Sequence, residues 1–186
     1  CTIHSNYRQL WRSTLVSWFK LMPRDAGEFT GAENGPATHR IAFQLGDGTI
    51  VDFRNDFIGI GENAAEDVMR GYEPTAFYLN ECDLLAEDVY EFALGRVGRY
   101  PDMDEGGPSW YGVLADCNAP VLQSWLYQKI FKNTPGNVDL FRQPSATSPQ
   151  AANLANLPKG YYERQAAGAA DWYVARMIEN KPGYSR

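Results

Sequence analysis

Apolar residues recur at helical spacing through Leu10, Trp11, Leu15, Trp18 and Phe19, after Asn6 as a cap and before Pro23, which predicts a helix through this stretch. Polarity then alternates from Arg40 to Leu45 and from Thr49 to Phe53 around Gly46-Asp47-Gly48, the pattern of a tight hairpin. Phe57 to Ile60 reads as another short strand, and Glu66 to Met69 as a helical turn. Two segments carry a different pattern. Thr75 to Leu79 and Val113 to Ala115 are short apolar runs that end in the polar clusters Asn80-Glu81 and Asp116-Cys117-Asn118. A strand apolar on both faces is a buried parallel strand, and its carboxyl end delivers side chains to a sheet edge. Leu84 to Leu94 follows as a helix with Leu84, Leu85, Val89, Phe92 and Ala93 on one side, so strand leads directly into helix and the fold class is α/β.

Residues 95–108 are rich in Gly, Pro and charge and read as a long functional loop. Trp125 to Phe131 is predicted as a short amphipathic helix and Asp139 to Arg142 as an edge strand. Gln143 to Pro158 is a Pro-, Ser-, Ala- and Asn-rich linker, and Tyr161 to Ala170 and Trp172 to Glu179 read as two helices parted near Gly168. This divides the chain into 1–142, which holds the strands, and 143–186, a linker with a helical closing segment.

Composition narrows the picture. With 186 residues, 44% hydrophobic and 13% aromatic, the chain has material for a folded core. A net charge of −6 argues against gripping nucleic acid by bulk electrostatics. Cys1, Cys82 and Cys117 are odd in number, with two of them in or beside predicted strands, which fits reduced thiols and no disulfide framework. No apolar stretch of about 18 residues suggests a membrane span, and no secretory leader is seen. His4 and His39 stand isolated, without a Cys or His partner at zinc-ligand spacing.

The strand-end clusters carry the candidate chemistry. Glu81, immediately after an apolar strand, suits a general base that polarises the water attacking a terminal phosphate. It equally suits a favourable anion in the first turn of the next helix. Asn80 stands where an amide oxygen can accept from the water shell of a magnesium ion. Asp116 and Asn118 can sense a terminal phosphate, or simply form a strand-end turn with Pro120. Arg70, Arg96 and Arg99 lie near the two strands on segments read as irregular, and Arg70 is the first choice for a finger offered to a neighbouring subunit. No Gly-x-x-x-x-Gly-Lys-Ser/Thr loop occurs in the sequence.

In order along the chain, Tyr78-Leu79-Asn80-Glu81, Gly95-Arg96-Val97-Gly98-Arg99-Tyr100-Pro101, Gly107-Pro108-Ser109-Trp110, Asp116-Cys117-Asn118-Ala119-Pro120 and Trp125 resemble the ATPase domain of tailed-phage terminase large subunits. Phe141-Arg142-Gln143-Pro144-Ser145, Asn156 to Tyr162 and Asp171-Trp172 are similar to the segment that closes that domain, and Lys181-Pro182 to the approach to the nuclease domain. The resemblance implies a RecA-like, ASCE-type P-loop NTPase core with a mainly parallel sheet flanked by helices, plus an added β-hairpin. Residues 1–142 would then be a partial ATPase core. The phosphate-binding loop is expected before Cys1 and the nuclease carboxylates after Arg186.

The implied activity is ATP hydrolysis with Mg²⁺, driving double-stranded viral DNA into procapsids. Glu81 would be the Walker B carboxylate and Asn80 its metal-side neighbour. Asn118 would belong to the coupling motif, Asp116 and Arg99 to the nucleotide contacts, and Arg70 would be the finger in trans. Implied partners are the portal protein, the small terminase subunit and further copies in a ring, in the host cytoplasm at the procapsid portal. The chain by itself is expected to bind ATP poorly. A non-enzymatic, prophage-remnant module contacting portal or small subunit is the alternative, with the 5 Trp and 11 Tyr as its anchors. A carboxylate hydrolase using Glu81 with Asp83 or Asp116 ranks below both.

Overall fold

The computed structural model describes residues 1–184 and falls into two compact units, Cys1–Asp116 and Cys117–Arg186. The first unit holds six strands: β1 (Thr2–His4), β2 (Glu28–Gly31), β3 (Ala37–Gln44), β4 (Ile50–Gly59), β5 (Ala76–Leu79) and β6 (Gly112–Ala115). They form one sheet in the order β2-β3-β4-β1-β5-β6. From β4 to β6 every pairing is parallel, whereas β2, β3 and β4 pair antiparallel. This is the expected α/β sheet with a parallel core and an added hairpin.

β1 is only three residues long, yet it occupies the centre, with Ile3 beside both Ile58 and Leu79. All three of its residues are buried, as a strand flanked on both sides in a parallel sheet must be. Its polar Thr2 is satisfied by Asn55 of β4, whose Nδ2 donates to Thr2 Oγ1 at 2.9 Å. Sequence pattern misses β1 because three residues show no periodicity, and misses β2 because Glu28-Phe29-Thr30-Gly31 is short and holds a single large apolar residue.

The N-terminal helix forms where its apolar spacing places it. Asn6 caps it by accepting from the Gln9 backbone N–H at 2.9 Å, and helical turns run through residue 21, with a π-helical segment at Leu10–Thr14. Leu10 and Leu15 bury against Ala37 and Phe57 of the sheet, with Trp11, Trp18, Phe19 and Phe29 packed around them. Trp18 fixes the alignment. Its ring meets Phe57 edge-on with centroids 5.3 Å apart, and its indole N–H donates to His39 Nδ1 at 2.9 Å. Gly59 permits the chain to cross there, since a Cβ at this position would lie 2.4 Å from the Tyr7 backbone nitrogen.

Three expectations need correction. Phe57 to Ile60 is no separate strand: residues 57–59 are the last residues of the ten-residue β4, which gains its length by pairing with β3 on one side and β1 on the other. The helix expected from Leu84 begins instead at Glu87 and runs to Arg96, because Leu85 and Ala86 are extended. Glu87 and Asp88 occupy its first turn, where their charge favours the start. Asp139 to Arg142 forms no strand; it has no partner strand, and Phe141 is 91% exposed.

In the second unit, the stretch from Trp125 to Phe131 is helical, as are Tyr161–Ala166 and residues 171–178, with Gly168 in the left-handed region between the latter two. Arg176 donates from Nε to the Ala119 carbonyl at 2.8 Å, and Val121 bridges to Gly183.

Candidate active site

Parallel pairing brings the carboxyl ends of β4, β1, β5 and β6 to one edge of the sheet. Four strand-end segments therefore meet there: Ile60-Gly61 after β4 and the polar Ser5-Asn6 after β1, Asn80-Glu81 after β5 and Asp116 after β6. In open α/β sheets such an edge is where ligands bind and reacting groups stand.

Glu81 is the focus of this edge. Its backbone is left-handed, at φ 52° and ψ 54°. That region costs a residue with a Cβ about 1 kcal/mol and persists only when the surroundings enforce it. Its carboxylate Oε2 lies 3.1 Å from His4 Nε2; the His4 side chain is fully buried and that of Glu81 is 39% exposed. The backbone N–H of Asn6 donates to His4 Nδ1 at 3.3 Å, and the Ser5 hydroxyl lies 3.2 Å from the same nitrogen. Because an amide N–H can only donate, Nδ1 is an acceptor and the proton of the neutral ring sits on Nε2, aimed at Glu81.

Asn80 is held from both ends. Its Oδ1 accepts from the Thr14 hydroxyl at 2.6 Å, and its Nδ2 donates to Asp116 Oδ1 at 3.0 Å. The same Asp116 oxygen accepts from the Glu81 backbone N–H at 3.2 Å. Burial pushes the Tyr78 phenol well above its ordinary range, and its hydrogen bond to Asp116 adds to the shift. Glu81, Asn80 and Asp116, each expected to belong to a site, are thus brought together.

The remaining candidates are Arg70, Arg96, Arg99 and Asn118. Arg70 follows the short helix Ala65–Met69 on an exposed surface and pairs with Glu66 of that helix, which also raises its pKa. Arg96 ends helix Glu87–Arg96. Arg99 donates to the Gly95 carbonyl at 3.3 Å and lines a shallow hollow with Glu73 and Asp102. Asn118 is an exposed residue of the second unit.

Three contributors escape sequence reading: His4, Thr14 and Tyr78. His4 looks isolated because its strand is too short to show a pattern. The one trace in the sequence is the polar run His4-Ser5-Asn6 directly after Ile3, a single apolar residue where β5 and β6 have several.

The edge suits the polarisation of a water molecule. Glu81 Oε2 is committed to His4, which leaves Oε1 to take a proton. Magnesium usually keeps much of its water and draws on few protein ligands, and Asn80 Oδ1 retains a second lone pair for such a water. Among the described residues, no three His, Cys, Asp or Glu side chains gather as a metal-binding cluster.

No family model matches the chain, and no curated protein does. Solved structures match its fold. The large terminase of a thermophilic bacteriophage superposes with a TM-score of 0.65 at 14% identity, over 96% of this chain and 39% of that protein. The same terminase in complex with ADP superposes with a TM-score of 0.60 at 15% identity, over 95% of this chain and 38% of that one. This chain therefore spans less than two fifths of the length of the proteins whose fold it shares.

Proposed function

We propose that this chain is part of the ATPase motor of a phage large terminase, in which hydrolysis of ATP drives double-stranded DNA into a procapsid. The observation that carries the reading is Glu81, anchored by His4 at the carboxyl edge of a parallel sheet, in a fold shared with a large terminase solved in complex with ADP. A general base needs a carboxylate held near but not consumed by its surroundings, and Glu81 keeps one oxygen for that work.

In this reading Glu81 Oε1 accepts the proton of the attacking water. Asn80, held by Thr14 and Asp116, would accept through Oδ1 from the water shell of Mg²⁺. Bound Mg²⁺ would offset negative charge on the phosphates. These 186 residues hold no glycine-rich Lys-Ser/Thr loop, so the reading requires that the amides and lysine cradling those phosphates come from elsewhere. Arg70, already exposed, is offered to a neighbouring copy in a ring, and Arg99 and Asn118 are further nucleotide or coupling contacts. The portal protein and the small terminase subunit complete the machine at the host's procapsid portal.

The test is packaging itself. A longer polypeptide carrying this chain should move double-stranded DNA into matching procapsids only when ATP is present, and Glu81→Gln should stop it. Packaging that proceeds without ATP, or that survives Glu81→Gln, contradicts the reading.

A second reading is a binding module without turnover. It is favoured by Phe43 and Phe53, which share one face of the β3-β4 ribbon and are 50% and 42% exposed. It predicts association with portal or small subunit that is indifferent to nucleotide.

A further inference from the structure

The left-handed turn at Glu81 requires something to enforce it, and the bonds around it converge on one residue. Asp116 follows β6 and extends the β5-β6 ladder: its N–H donates to the Leu79 carbonyl at 3.2 Å, and its own carbonyl accepts from the Cys82 N–H at 2.8 Å. Its side-chain Oδ1 accepts from Asn80 Nδ2 at 3.0 Å and from the Glu81 N–H at 3.2 Å. Residues 79–82, the whole passage from strand through turn, are thereby tied to one neighbour on the adjacent strand.

Left-handed backbone at a glutamate is held only where such bonds over-determine it. Without them a residue with a Cβ relaxes to negative φ, and its side chain swings to a different direction. The direction of the Glu81 carboxylate is thus set from Asp116, through the backbone, as well as from His4. Asp116 is itself solvent-exposed, so its carboxylate has no burial demand to explain the arrangement.

We propose that Asp116 is a positioning residue, which holds Glu81 in its left-handed turn and so aims the carboxylate, rather than a contact to nucleotide. This rests on the ATPase reading above and assigns Asp116 a role within it. The chemistry required of residue 116 is an acceptor oxygen at Oδ1, not a negative charge. An asparagine meets that requirement, with its amide oxygen toward Asn80 and Glu81 and its Nδ2 toward the Tyr78 oxygen.

The test uses the longer polypeptide in its ATP-hydrolysing form. Asp116→Ala should lower kcat about tenfold or more while KM for ATP stays within about twofold, since small displacements of a reacting group cost up to about 100-fold. Asp116→Asn should keep kcat within about threefold of the parent. Hydrogen exchange at the Glu81 amide should be slow in the parent and in Asp116→Asn and markedly faster in Asp116→Ala.

Unchanged kcat in a folded Asp116→Ala overturns the proposal. So does a raised KM with the Asn and Ala variants equally impaired, the mark of a direct nucleotide contact. Should Asp116→Ala not fold, Asp116→Asn decides: loss of turnover in the folded Asn variant contradicts the role, and near-parent turnover with a protected Glu81 amide supports it. Absence of turnover in the parent fells the ATPase reading and this role together, whereas turnover that needs Glu81 but ignores Asp116 fells this role alone.

Discussion

His4 and Glu81 are 77 residues apart in sequence and touch across the centre of the sheet, Nε2 to Oε2 at 3.1 Å. The contact exists because β1 and β5 are parallel neighbours and both end at the same edge. Asn6 fixes which ring nitrogen carries the proton, by donating to Nδ1. Imidazole nitrogen shifts measured by NMR should therefore show the neutral His4 ring protonated at Nε2. Glu81→Gln should move the Nε2–H proton resonance while leaving the tautomer in place. A ring protonated at Nδ1 would contradict the geometry.

His39 sets an acid limit on stability. Its ring is buried, desolvation lowers its pKa, and its Nδ1 accepts from Trp18. The folded state thus resists protonation, while the unfolded chain takes up the proton near the ordinary value of about 6.5. This share of stability is full above that pH and is lost as pH falls through the lower, folded value. The melting temperature should drop between pH 7 and pH 5, and His39→Gln, which keeps an acceptor and does not titrate, should reduce that drop. An equal drop in both proteins would remove His39 from the account.

Close backbone approach at Gly59 leaves no room for a methyl group. A Cβ there would sit 2.4 Å from Tyr7 N and 2.7 Å from Asn6 C, and backbone atoms cannot swing aside as a side chain does. Gly59→Ala should cost about 1–3 kcal/mol in denaturant unfolding, as overpacking does. A neutral result would mean that the helix start is free to shift.

Removing the cap that begins the same helix is a milder change. Asn6→Ala loses the bond to the Gln9 N–H and should cost about 1 kcal/mol. The check is the shift in the denaturant midpoint at unchanged slope.

Much of this arrangement can be read from residue order, for reasons that differ by element. The N-terminal helix and the β3-β4 hairpin show because several turns or alternations repeat a period. β5 and β6 show as apolar runs, and their polar ends single out Asn80, Glu81 and Asp116 as candidates. β1 does not show, since three residues carry no period, and with it His4 is lost. The helix at Glu87 is placed three residues early because Leu84 and Leu85 fit the apolar face, although Leu84 is 54% exposed. Which acceptor holds which donor is not a property of pattern at all: Asp116 faces Glu81 only through the pairing of β5 with β6.

The measurement that bears most directly on the central claim is ATP turnover by the longer polypeptide, wild type against Glu81→Gln, with nucleotide binding followed in parallel. The Gln variant should bind ATP as the parent does and lose turnover by about 100-fold or more, the scale of a general base removed. Turnover retained in a folded Glu81→Gln protein would contradict it.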